Sequence, residues 1–96
     1  MIVHIVFFKF NEENKEQNIK QTKDMLEQLK SKIDIIKDFE VGINFDQAQR
    51  AMDLSLYSTF DTIEDLQSYA LNPEHQKVIE FIKSVTQYTK VVDYTK

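Results

Sequence analysis

The first ten residues, Met1 to Phe10, carry apolar side chains at both parities of a strand repeat. Ile2, Val6, Phe8 and Phe10 fall on one side, and Val3, Ile5 and Phe7 on the other, because successive side chains alternate across the pleat. A strand with one wet face alternates apolar with polar residues, and this one does not. A chain of 96 residues is too short to wrap both faces of such a sheet. Its helical stretches can shield one face, so the other is expected to meet a second copy of the chain.

Ninety-six residues make one expected domain, spanning 1–96. A chain of this size buries only about 60–65% of the surface its unfolded form exposes, so association would help it. The net charge of −4, with lysines scattered among acids, argues against nucleic acid and anionic membranes, which both require basic patches. There is no cysteine, which rules out disulfide and thiolate chemistry and fits a reducing, cytoplasmic setting. The apolar N-terminus lacks a basic lead-in and a cleavage site and is too short to span a bilayer, so it reads as a strand. One glycine and one proline predict long elements and short connections.

The pattern predicts a first strand over Ile2 to Phe10, then a polar break. Asn14 with Gln17 resembles a capping pair for a helix from Lys15 to about Lys32, whose stripe is Ile19, Met25, Leu26, Leu29 and Ile33. A second strand is expected near Phe39 to Phe45, with Gly42 marking a bulge or a close backbone approach. A third runs from about Asp53 to Phe60. Asp61, with Glu64 three residues on, is the expected N-cap of a short helix through Ile63, Leu66 and Tyr69. Asn72-Pro73 then starts another helix, about Glu74 to Thr86, with Val78, Ile79, Ile82 and Val85 on one stripe. A last strand, Tyr88 to Thr95, closes the sheet. The order β-α-β-β-α-β, with the second α broken in two, is the ferredoxin-like α+β arrangement, helices on one face of a four-stranded sheet.

Three side chains stand out for chemistry. His75 would be the third residue of its helix, on the stripe of Val78, Ile79 and Ile82, so its ring points toward the sheet. The positive end of the helix dipole and partial burial both disfavour imidazolium, leaving the neutral form a general base requires. His4 interrupts an apolar strand and needs a hydrogen-bond partner there. Tyr69 lies just before the Asn72-Pro73 turn, where its hydroxyl can orient a substrate or stabilise an oxyanion. Each also has a plain structural reading, as a packed histidine or a core tyrosine. Two histidines on separate elements form no zinc motif, and a single glycine allows no phosphate-binding loop.

Taken in order, Val3-His4-Ile5-Val6, Lys9-Phe10, Glu40-Val41-Gly42, Phe60, Tyr69-Ala-Leu-Asn-Pro-Glu-His75 and Val91-Val92-Asp93-Tyr94 resemble the stress-responsive A/B barrel domain (Dabb) family over essentially the whole chain. The resemblance implies a ferredoxin-like protomer and a homodimer whose sheets face each other as a dimeric α+β barrel. It also implies a relative, a plant polyketide cyclase, in which a strand histidine, a tyrosine and a turn histidine promote an aldol condensation without cofactor. The matching positions here are His4, Tyr69 and His75, with a small hydrophobic or polyketide-like ligand as the implied partner. The chain departs from that enzyme at Asn72, where the turn begins with histidine, and at Met25 and Leu26, where no helix tyrosine stands.

Three functions follow as expectations. One is a dimeric, cofactor-free acid/base enzyme or small-molecule binder built on His75, Tyr69 and His4. Another is a non-enzymatic stress or regulatory dimer with structural histidines and a filled interior. The third lies in the wider dimeric α+β barrel group, as a monooxygenase or a haem-binding protein with a helix histidine on iron.

Overall fold

The computed structural model describes residues 1–96. Its elements are β1 (Ile2–Phe10), α1 (Lys15–Lys32), β2 (Asp38–Ile43), β3 (Leu54–Phe60), α2 (Ile63–Leu71), α3 (Pro73–Val85) and β4 (Thr86–Thr95). The strands form one antiparallel sheet in the order β2-β3-β1-β4, which makes the protomer a ferredoxin-like α+β fold as its alternation pattern predicts. No helix is long and apolar enough to cross a membrane.

The core lies between the helices and one face of the sheet. Ile2, Phe8 and Phe10 of β1, Leu54, Leu56 and Phe60 of β3 and Val41 of β2 meet Ile19, Leu26 and Leu29 of α1, with Val78 and Ile82 of α3. Thr22 completes the α1 stripe, fully buried, and its hydroxyl has no hydrogen-bond partner.

The opposite face follows from the register. Val3, Ile5 and Phe7 lie beside Tyr94, Val92 and Lys90 on β4 and beside Thr59, Tyr57 and Ser55 on β3. Asp38 and Glu40 of β2 border it on the far side. No helix covers this face. Phe7, Val92 and Tyr94 are 38%, 52% and 45% exposed, whereas Val3 is buried. The Lys96 ammonium reaches across this face to donate to the Tyr57 hydroxyl at 3.2 Å. The face is thus apolar at its centre and charged along its edges.

Several local expectations are corrected. Asn14 does precede α1, but in the left-handed conformation (φ 53°) and with no side-chain cap, so the Asn14/Gln17 pairing is absent. Asparagine tolerates that backbone better than other non-glycine residues. The cap of α2 is Thr62 rather than Asp61; its hydroxyl accepts from the Asp65 amide at 3.0 Å. The second strand ends at Ile43, leaving Phe45 in the following loop and 94% exposed. Gly42 forms no bulge: β2 stays in register, and an added Cβ would stand 3.4 Å from the Ser55 hydroxyl oxygen. The register shift falls instead between Lys9 and Phe10 against β4. Nearby, the Asp53 carboxylate accepts from the Phe10 amide at 2.8 Å, supplying an acceptor just before β3 begins. Lys15, 3.2 Å from the same carboxylate, balances its charge, ties in the start of α1 and has its own pKa raised.

Candidate functional site

The break between α2 and α3 positions the site. Proline disfavours a helical residue before it, and Asn72 is accordingly extended (ψ 132°). The Asn72 side chain caps α3 by accepting from the Glu74 amide at 2.8 Å, and Pro73 occupies the first turn without loss of a bond. The last carbonyls of α2 have no intrahelical donors. The Ala70 carbonyl is satisfied by two side chains across the break, Gln76 Nε2 at 2.6 Å and His75 Nδ1 at 3.0 Å.

That bond settles the tautomer of His75. A carbonyl only accepts, so Nδ1 carries the proton and Nε2 holds the lone pair. Burial lowers the pKa of this ring below the usual histidine value, and the nearby His4 acts in the same direction, against an opposing contribution from the Ala70 carbonyl. The imidazole is neutral at pH 7.

Tyr69, at the end of α2, is 1% exposed. Its ring centroid lies 4.3 Å from that of His75, 5.1 Å from Phe60 and 6.2 Å from His4. Burial raises its pKa, and no hydrogen bond to the rest of the chain offsets that effect. The phenol stays protonated, with its O–H available to a ligand.

His4 projects from β1 on the helix side, opposite Asp93 of β4. Its Nδ1 donates to the Asp93 carboxylate. This partner is absent from the site residues expected from sequence. The available signal is that Asp93 is the only acid in the last strand, but only the pairing of the first strand with the last identifies its partner.

His4, Tyr69, His75 and Asp93 line one cavity of about 550 Å³ between the sheet and the helices. Val6, Leu26, Leu66, Ile79 and Val91 supply its apolar walls. It opens along β4, the edge strand, where Val91 is 56% exposed. The three side chains singled out in the sequence therefore converge, and the interior beside them is open. Chemically, the arrangement offers an unprotonated imidazole nitrogen, a protonated phenol and a carboxylate-held imidazole around one space.

The model of the stress responsive A/B barrel domain matches residues 2–96. A dimeric protein of unknown function and ferredoxin-like fold from Bacteroides fragilis superposes with a TM-score of 0.90 at 31% identity, covering 99% of this chain and 95% of that one. A hydroxynitrile lyase from Passiflora edulis superposes with a TM-score of 0.85 at 20% identity, over 97% of this chain and 90% of that one. An antibiotic biosynthesis monooxygenase has a TM-score of 0.78 at 10% identity, over 100% and 98% of the two chains, and shares the fold alone. No curated protein matches the sequence.

Proposed function

We propose that this chain, which belongs to the stress-responsive A/B barrel domain family, works as a homodimer in which each protomer binds a small organic carbonyl compound and promotes proton transfer on it without a cofactor. The observation that carries this reading is the cavity of about 550 Å³ where His75, Tyr69 and His4 meet. Such a volume lies within the range of about 300–1,000 Å³ typical of small-molecule sites.

Each group has a role its environment suits. His75 Nε2 removes a proton from the carbon beside the ligand's carbonyl, a task matched by a neutral imidazole near pH 7. The electron pair of the broken C–H bond forms a C=C bond, the carbonyl π pair moves onto oxygen, and the Tyr69 O–H donates to the oxyanion that forms. His4, oriented by Asp93, is a positioning residue at the far side of Tyr69. The proton on His75 exchanges with solvent or returns to carbon when the enolate is reprotonated. A hydroxynitrile lyase of the same fold supports only the capacity of the fold to house such chemistry, since function resides in the site.

The homodimer is supported by the uncovered apolar centre of the sheet and by the dimeric Bacteroides relative. Two such faces in contact would form an interface of standard size, about 1,600 Å² in total.

The test is exchange of α-protons of aryl ketones and β-keto esters in D2O, followed by proton NMR. The wild-type protein is expected to accelerate exchange, and His75→Ala to reduce it by about a hundredfold or more with its melting temperature retained. A wild-type protein that accelerates no exchange, or a His75→Ala variant as fast as wild type, overturns the enzymatic reading.

A further inference from the structure

The cavity is polar at both ends, and the histidines account for only one. At the other end stand Lys83 and Gln87, with Thr86 between them in sequence. Lys83 lies eight residues beyond His75 on α3, about 12 Å further along the helix axis. The walls between them are mainly apolar, from Val6 and Leu26 to Ile79, with Thr89 and Gln67 the polar exceptions.

The polar groups at this second end differ in how they are engaged. The Thr86 hydroxyl donates to the Ile82 carbonyl at 2.8 Å, and Gln87 Nε2 donates to the Phe10 carbonyl at 3.3 Å. Lys83 forms no ion pair, and it is the only lysine or arginine lining the cavity. At the first end the Asp93 carboxylate is engaged by the His4 ring, beside the neutral His75 imidazole and the protonated Tyr69 phenol. The only cation of the lining without an ion-pair partner thus stands at the Lys83 end, and an anion is drawn there. The cavity has a direction.

We infer that the cavity selects an amphipathic carboxylic acid, its carboxylate held by the Lys83 ammonium and its carbonyl end at Tyr69 and His75. The separation of about 12 Å along α3 suits an extended chain of roughly ten carbons. This deepens the proton-transfer reading and rests on it only for which end reacts; anion selection by Lys83 stands or falls by itself.

The experiment is displacement of the neutral fluorophore N-phenyl-1-naphthylamine by decanoate and by 1-decanol, at low ionic strength and pH 8. Wild type is expected to bind decanoate about tenfold more tightly than decanol, a preference that added salt weakens. Lys83→Gln should weaken decanoate about five- to tenfold and leave decanol unchanged, while Lys83→Arg keeps the preference. Lys83 is exposed, so neither variant threatens folding. Equal binding of acid and alcohol by wild type, absent displacement by either, or unchanged decanoate affinity in Lys83→Gln overturns the inference. A wild-type protein that exchanges no α-protons yet prefers decanoate through Lys83 sinks the catalytic reading and leaves this subsite standing.

Discussion

Tyr69 offers the sharpest dissection of packing from chemistry, through the pair Tyr69→Phe and Tyr69→Ala. The ring is 1% exposed and packs on Phe60, Phe39 and His75, with centroids 5.1, 6.3 and 4.3 Å away. Truncation to alanine removes an aromatic ring from the core, a loss of about 3–5 kcal/mol. Its aromatic partners contribute about 0.5–1.5 kcal/mol per pair beyond area burial, which places the expected cost toward the upper end of that range. Tyr69→Phe keeps every ring contact and deletes only a hydroxyl with no partner in the chain. Its expected effect on stability is within about 0.5 kcal/mol, because no internal hydrogen bond is broken. Urea denaturation followed by circular dichroism measures both variants, and α-proton exchange measures what the hydroxyl does. The expected result is a Tyr69→Phe protein as stable as wild type that has lost most of its exchange activity. A loss above about 2 kcal/mol for Tyr69→Phe would mean that the hydroxyl is held inside the protein. The argument that it is free for a ligand would then be refuted.

Other perturbations probe separate parts of the account. Thr22→Val should stabilise the protein by about 1 kcal/mol in urea melts, since it replaces a buried, unpartnered hydroxyl with a methyl group. Asp53→Ala should cost about 2–4 kcal/mol in the same assay, because the Phe10 amide and the Lys15 ammonium both lose their partner. For His75, the folded pKa lies below the unfolded value of 6.5, so the unfolded chain binds the proton more readily. Its contribution to stability should be complete above pH 6.5 and fall as pH drops toward the folded pKa, a slope that His75→Gln removes. NMR titration of the His75 ring should give a midpoint below 6.5; a midpoint above it contradicts the assignment of a neutral base.

Element positions were legible where the signals are local. The stripe of Ile19, Leu26 and Leu29 and the Asn72-Pro73 break lie within a few residues of the features they specify, and α1 and α3 form as that spacing requires. Capping was less legible because neighbouring residues compete. Asp61 and Thr62 both suit an N-cap, and the chain uses Thr62; Asn14 is suited both to capping and to a left-handed backbone, and it adopts the latter. Phe45 continues the alternation of β2, but the ladder with β3 ends at Ile43 opposite Leu54.

The site follows the same division. His75 and Tyr69 lie six residues apart around one break, so their proximity is implied by the local pattern. Asp93 lies 89 residues from His4, and only the pairing of the first strand with the last joins them. Lys83 is one of several helix lysines in the sequence. That it lines the cavity without an ion-pair partner becomes visible only when α3 is laid over the sheet.

The open sheet face remains the feature on which the whole architecture turns, with Phe7, Val92 and Tyr94 left in solvent by a single chain. Sedimentation equilibrium across a dilution series into the low micromolar range tests it most directly. The account predicts a folded particle of twice the 11.4 kDa chain mass. A well-folded particle of 11.4 kDa at every concentration would contradict it.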